Sequence, residues 1–297
     1  MTHVIAMGEC MLELAHISEQ TLKLGYAGDS SNAMIYLKRA APKVDITYIT
    51  ALGDDTYSDG MIRHWQEAGI NVRVDRIKGE LPGLSIIQNL EDGDRFFHYW
   101  REQSAYKKLV PRMTENPFAG ADYIYISGIT VAATPPDYRE TLLDWVVEAK
   151  AEGAEVVFDP NYRGSLWPNP AAARNTLELF WQVADRFLGS DDDMAQLGDT
   201  DFENFATHLL SGSTKEVLIR RGPEACLIFE HGHSTSVAAN PCTPVDTTGA
   251  GDAFNGTYLA ARISGANAED AAKRAHEVAA EVVKHKGAII PRQLAKD

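Results

Sequence analysis

Between Val245 and Gly256 the chain reads VDTTGAGDAFNG, so three small residues, Gly249, Ala250 and Gly251, stand immediately before a lone carboxylate, Asp252. From Ala250 onward Phe254, Tyr258 and Ala261, with Leu259 and Ile263 beside them, recur at helical spacing as far as Gly265, and Val237 to Val245 reads as extended chain leading in. Asp252 is therefore expected in the first turn of a helix. Glycines at a helix entry present bare N–H groups, and the helix dipole adds partial positive charge, so an anion can approach the backbone closely. Such a hole suits a transferring phosphoryl group. A carboxylate beside it can accept the proton of an attacking hydroxyl, which phosphoryl transfer to an alcohol needs once positioning and charge stabilisation are supplied. Asp252 is thus the candidate base, with Gly249, Ala250 and Gly251 as the hole. The same residues would also make a glycine-rich turn whose aspartate serves helix stability alone. Spacing does not separate the two.

The elements that must hold this motif follow from the alternation of short β-branched runs with helical patterns. Val44 to Leu52 is followed by Tyr57 to Ala68, and Glu155 to Phe158 by Pro170 to Val183. That is the pattern of βαβ units around a parallel sheet. One stretch breaks it: between about 72 and 101 two strand-like runs, GLSIIQNL and RFFHYWR, are joined by Glu91-Asp-Gly-Asp94, a hairpin signal with no helix between. We read a small β-lid inserted in one α/β body, with no repeat, linker or low-complexity tract to divide the 297 residues into further domains. Twenty-eight basic against forty-two acidic residues give a formal net charge of −14, which argues against nucleic acid or an anionic membrane as partner. An anionic ligand must then be held by local cations. Cys10, Cys226 and Cys242 form no CxxC pair, so neither a zinc cluster nor a disulfide framework is expected, and a reducing cytoplasm fits. The start, MTHVIAMGECMLEL, lacks a basic leader and meets Glu9 and Glu13 early, unlike a signal peptide, and no apolar run is long enough to span a bilayer.

With these residues in view, DTTGAGDAFNG resembles the second signature of the ribokinase-like, or PfkB, sugar kinases. Tyr26-Ala-Gly-Asp-Ser-Ser-Asn32, the helix to Ala41 and Thr50-Ala-Leu-Gly-Asp-Asp55 resemble the N-terminal signature, in which glycine and asparagine hold sugar hydroxyls. The resemblance implies a three-layer α/β/α body with a mostly parallel sheet and a small β-sheet lid, formed mainly by about 72–101 plus part of 10–28. It narrows to the 2-keto-3-deoxygluconate kinase branch through GECMLEL, LPGL, FHYWR, DPNYRGSLW and GAIIPR, and spans essentially the whole chain. It implies ATP-dependent phosphorylation of the primary (C6) hydroxyl of 2-keto-3-deoxygluconate, with Gly28, Asp29, Asn32, Tyr99, Arg101, Arg163, Asp252 and the backbone at Ile129 touching the sugar acid. A fructokinase or another sugar kinase of this family is the alternative, and a noncatalytic sensor on the same fold is disfavoured by the intact GAGD. Two departures stand out: Ser85 occupies a position where these kinases usually have tyrosine, which would loosen selectivity or admit a modified sugar acid, and Thr257 replaces the usual alanine or glycine, for which we expect a packing adjustment.

The arginines point to the substrate class independently. In Phe96 to Arg101, strand alternation puts Phe97, Tyr99 and Arg101 on one face and Phe96, His98 and Trp100 on the other. Arg163 lies in the loop Asp159-Pro-Asn-Tyr-Arg163, just past a strand, at the edge where open α/β sheets bind ligands. Two arginines from opposite walls match a carboxylate and would be wasted on a neutral sugar. The commoner fate of arginine is a surface position or a structural ion pair.

For the nucleotide, Glu216-Val-Leu-Ile-Arg-Arg-Gly222 reads as a strand running into a cationic turn, and it resembles the segment with which the family holds ATP phosphates. Arg220 stands where lysine is common, with Arg221 beside it, and Gly222 and Ala225 would shape the loop. His276 on the last long helix would line the adenine pocket, or else lie on the helix surface. The family's Asn-x-x-Glu metal motif takes the form Ser190-Asp-Asp-Asp193, which implies Ser190 near the nucleotide and Asp193 acting on Mg2+ through water. Asp191 and Asp192 read as solvated acids capping the next helix. His231-Gly-His233 reads as a hairpin turn and Lys284-His-Lys286 as a solvated helix end. The lid face carrying Phe96, His98 and Trp100 cannot be covered by substrate: either it folds back on the body's own helices or, as the resemblance to sugar kinases that pair lid against lid implies, it meets a second copy, giving a homodimer or higher homo-oligomer.

Overall fold

The computed structural model describes residues 1–89, 95–230 and 232–292. Strands β1 (His3–Met7), β4 (Asp45–Leu52), β5 (Asn71–Arg76), β8 (Tyr123–Ser127), β9 (Glu155–Asp159), β10 (Arg186–Ser190), β11 (Glu216–Arg220), β12 (Cys226–Glu230) and β13 (His233–Val237) form one large sheet in the order β13-β12-β11-β10-β9-β8-β1-β4-β5. From β11 to β5 every pairing is parallel; β12 and β13 are antiparallel at one edge, where Gly232 sits at the tight turn expected there. His231 lies outside the described residues.

Alternation along the buried strands splits the core in two, because successive side chains leave a strand on opposite faces. Ile5 and Met7 join Ile124, Ile126, Val156 and Phe158 under the helices Arg139–Ala151 and Pro170–Trp181. Val4 and Ala6 join Tyr125, Val157 and Leu188 under the helices Asp29–Ala40, Ala250–Ile263 and Ala268–Val282. The result is the expected three-layer α/β/α body with a mostly parallel sheet. Its chain order reverses at β1, which has β4 on one side and β8 on the other, and such a switch point opens a crevice beyond the C-terminal ends of the strands.

A second sheet stands over that crevice: β3 (Thr21–Ala27), β2 (Met11–Ser18), β6 (Leu84–Asn89) and β7 (Arg95–Trp100), in that order. This corrects the expected lid. Residues 71–76 are an edge strand of the large sheet, paired with β4, and the later half of the lid begins only at Leu84. Two full strands come from 11–27, inside the part of 10–28 expected to contribute, so the small sheet has four strands. The connection at 91–94 and the side chain of Phe96 lie outside the described residues. Cross-strand register assigns its faces: Gly25, Glu13, Ser85 and Tyr99 form one row facing the crevice, and Leu24, Leu14, Ile86 and His98 the next row facing away.

Candidate active site

The crevice is a cleft of about 680 Å³ walled by residues just past the C-terminal ends of β1, β8, β9, β10 and β11, by the inner lid face and by the entry to the helix Ala250–Ile263. It gathers Gly28, Asp29, Asn32, Ser85, Tyr99, Arg101, Ile129, Arg163, Ser190, Asp193, Arg220, Gly249, Gly251 and Asp252 from the sequence-derived candidates.

The helix bearing Asp252 starts at Gly249, whose φ of +75° is a backbone state that glycine enters without strain. One turn beyond Asp252, Gly256 lies so close to the helix Asp29–Ala40 that a Cβ would overlap the Ala33 carbonyl. That close approach brings Asn32 alongside, and its Nδ2 donates to Asp252 Oδ2 at 2.8 Å. Thr257, next to this glycine, is accommodated by burial, with its Oγ1 lacking a partner among the described residues. The Asp252 carboxyl is pushed up to about 6, first by burial and then by the nearby Asp29 charge, against the Asn32 hydrogen bond and the guanidiniums of Arg163 and Arg220. Such a group is ionised at neutral pH and accepts protons better than an exposed aspartate. Asp29 itself accepts from Asn161 Nδ2 at 2.8 Å. Asn161 holds a positive φ of 29°, which asparagine tolerates better than most residues, and its backbone N–H donates to Asp159 Oδ1 at 3.1 Å.

Tyr99, Phe97 and Arg101 do share the cleft face of β7 and its end, and Arg163 faces the same space from the loop after β9. Each cleft arginine also has a carboxylate of its own. Arg101 directs Nε (2.9 Å) and Nη2 to Glu9 Oε2 in a buried pair. Arg220 Nη2 lies 3.4 Å from Asp159, and Arg163 Nη1 lies 3.6 Å from Asp193 while donating to the Tyr162 carbonyl at 2.8 Å. For Arg101 the structural ion pair is thus realised at a position that also lines the cleft. Arg163 is the least committed: its side chain is 52% exposed, against 8% for Arg101 and 15% for Arg220. Ser85 is buried at the cleft wall, its Oγ 3.4 Å from the Leu12 carbonyl.

On the other side of Asp252, a Cβ at Gly251 would run into the Arg220 guanidinium, so the glycine lets a cation lie against the bare helix entry. Arg220 is steadied by the Gly189 carbonyl at 3.2 Å and by Asp159, whose carboxyl burial raises to about 7. Asn255 Nδ2 donates to that carboxylate at 2.8 Å. Ser190 caps the helix Asp191–Gln196, accepting from the Asp193 N–H. The capping role expected of Asp191 and Asp192 is thus corrected: both already lie inside the first turn, where they face the helix's positive end. Asp193 lines the cleft, its Oδ1 accepting from the Tyr162 N–H at 3.1 Å. Among the described residues no three His, Cys, Asp or Glu side chains converge on one point.

Five expectations do not reach the cleft wall, Ala250 at the helix entry among them. Arg221 pairs with Glu224 three residues on, and Gly222 and Ala225 shape the turn between β11 and β12. His276 neither lines the cleft nor lies on a helix surface: it is buried edge-on against Phe254 at 4.9 Å, on the same core face as Ala272 and Ala275. Burial lowers its pKa. Sequence reasoning in turn passed over Glu9, Asp159, Asn161 and Asn255. Asp159 and Asn161 stand at a strand's C-terminal end in the same loop as Arg163, a position that could have marked them. Glu9 and Asn255 lie within the motifs GECMLEL and DTTGAGDAFNG, but neither motif gave them a role.

A bare helix entry with an adjoining cation, facing a carboxylate poised near neutrality, is the equipment of a phosphotransferase with an alcohol acceptor. A family model for pfkB family carbohydrate kinases matches residues 1–295. The chain is 35% identical to the 2-dehydro-3-deoxygluconokinase of Escherichia coli K12, over 98% of this chain and 97% of that protein, and 34% identical to that of Dickeya dadantii, over 97% of each. Its fold superposes with a TM-score of 0.84 on the 2-dehydro-3-deoxygluconokinase of Thermotoga maritima, at 20% identity over 97% of this chain and 94% of the other. The Xylella fastidiosa fructokinase solved with bound ATP also gives 0.84, at 21% identity over 96% and 93%. This chain belongs to the pfkB family of carbohydrate kinases.

Proposed function

We propose that the protein is an ATP-dependent 2-keto-3-deoxygluconate (2-dehydro-3-deoxygluconate) kinase that phosphorylates the C6 hydroxyl. The observation carrying the sugar-acid reading is Arg163, a half-exposed guanidinium across the cleft from Tyr99 and Arg101, which can turn to a substrate carboxylate. Gly28, Asp29, Asn32, Ser85 and the Ile129 backbone complete the sugar site. Asp252 takes the C6 hydroxyl proton as the sugar oxygen bonds to the γ-phosphorus. The bond from that phosphorus to the β-bridging oxygen breaks, and ADP leaves with the electron pair. Backbone at Gly249, Ala250 and Gly251, with Arg220, meets the charge of the transferring group. Bound Mg2+ would neutralise phosphate charge while keeping most of its waters, and the oxygen of Asp193 suits a contact through water.

Among the described residues no helix is long and apolar enough to cross a membrane, and Cys10, Cys226 and Cys242 are free thiols, which supports a reducing cytoplasm. The outer lid face presents Leu22, Leu24 and Trp100, each more than a third exposed, and we propose that it pairs with the same face of a second copy. ADP release measured by a coupled assay over sugar acids and neutral sugars tests the function. Turnover confined to 2-keto-3-deoxygluconate and close acids is expected; preference for fructose would overturn the substrate.

A further inference from the structure

Glu9 stands two residues past the end of β1, at the switch point of the large sheet, with only 2% of its surface exposed. Its Oε2 receives both Arg101 donors, Nε and Nη2. Its Oε1 has no hydrogen-bond partner among the described residues, although Glu9 lines the cleft. Gly83 makes room for that oxygen, since a Cβ there would come within 2.9 Å of it. A buried carboxylate oxygen left without a donor is an unmade bond, and native sites keep such groups where something else completes them. The pair also cancels the Arg101 charge, so this corner is poorly suited to an anion, and the carboxylate of a sugar acid is left to Arg163. A guanidinium edge beside an acceptor oxygen matches a different group: a hydroxyl, which donates once and accepts with its lone pairs.

We propose that Glu9 is a specificity-determining residue of the sugar site, its Oε1 accepting a hydrogen bond from a secondary hydroxyl of the sugar acid while Oε2 holds Arg101 in place. The assignment rests on the sugar-acid reading above and adds to it: the site selects polyhydroxylated acids over acids lacking that hydroxyl. The alternative is that Glu9 serves only to anchor Arg101.

Calorimetric titration of 2-keto-3-deoxygluconate and its 4-deoxy and 5-deoxy analogues into wild type and Glu9→Gln separates these. In the variant, the amide oxygen must face the Arg101 donors, which turns the NH2 to where Oε1 stood and replaces an acceptor by a donor. Wild type should bind one analogue roughly 10- to 100-fold more weakly than the parent, the range for a charge-assisted hydrogen bond. In Glu9→Gln that NH2 can offer the hydroxyl only a neutral hydrogen bond, so the gap between parent and analogue should narrow, with ATP affinity unchanged. Glu9→Asp keeps the charge opposite Arg101 but withdraws the carboxylate by one methylene; it should also lose the discrimination, so the test survives if the glutamine variant does not fold. Equal binding of both analogues and parent by wild type, or discrimination that is undiminished in the variants, overturns the assignment of Glu9 while leaving the sugar-acid reading intact. Failure of wild type to bind the parent acid at all sinks that reading and this assignment together.

Discussion

Asn32 and Asp252 are 220 residues apart in sequence, and a 2.8 Å hydrogen bond from amide to carboxylate joins them. The bond fixes the carboxylate on the first turn of its helix and ties the helix Asp29–Ala40 to the helix Ala250–Ile263. Gly256 makes it possible, because any side chain there would push the two helices apart at Ala33.

Replacing Asp252 by asparagine should leave ATP binding intact and lower turnover by about 10²- to 10⁴-fold, the usual worth of a general base. The base must be ionised to act, and its carboxyl titrates near 6, so wild-type kcat/KM should rise with pH up to about 6 and level off above. Asp29 holds that value up, so Asp29→Asn should move the acid limb to lower pH. A pH profile that is flat from 5 to 8 in wild type would remove Asp252 from proton transfer.

The two sugar-side arginines should behave unequally. Arg163→Ala should raise the KM for the sugar acid about 10-fold or more with little change for ATP or in melting temperature, the low end of the ~2–5 kcal/mol for a desolvated contact because the side chain is half-exposed. Arg101→Ala leaves Glu9 buried without its counter-charge and should cost about 3–5 kcal/mol of stability as well. Denaturant midpoints measured beside the kinetics distinguish them; an Arg101 variant as stable as wild type would contradict the buried pair.

At the phosphate side, a methyl group at Gly251 would displace the Arg220 guanidinium. Gly251→Ala should therefore raise the KM for ATP and lower kcat, with sugar-acid binding by calorimetry largely preserved. An alanine variant with wild-type ATP kinetics would mean that Arg220 does not attend the transferring phosphate.

Trp100, 57% exposed on the outer lid face, anchors the proposed pairing of lids. Trp100→Glu should shift the mass towards monomer in light scattering at micromolar concentration, with ATP binding retained. A monomeric wild type, or an unchanged mass in the variant, would end the lid-interface reading.

How much of this was legible in the sequence depended on the range of the interaction. The helix beginning at Ala250, the βαβ alternation and the two faces of Phe97 to Arg101 were readable because each rests on backbone periodicity and glycine conformation over a few residues. Resemblance to the sugar kinases supplied the order of the two signatures and most of the cleft residues. The share of 10–28 in the lid came from that resemblance too, whereas the start of the lid was misjudged because residues 71–76 pair with β4 of the large sheet, a partner that no local signal announces. The burial of His276 against Phe254 went unforeseen because its helix face is decided by what packs on it. The partners of the arginines were equally out of reach: Glu9, Asp159 and Asp193 meet Arg101, Arg220 and Arg163 only once β1, β9, β10 and the lid are assembled. The residue types capable of the chemistry were thus determined by the sequence itself. Which charges are already spent within the protein, and which remain for a ligand, was decided by the tertiary structure, because burial and distance, not identity, set the strength of an ion pair and the pKa of a carboxylate.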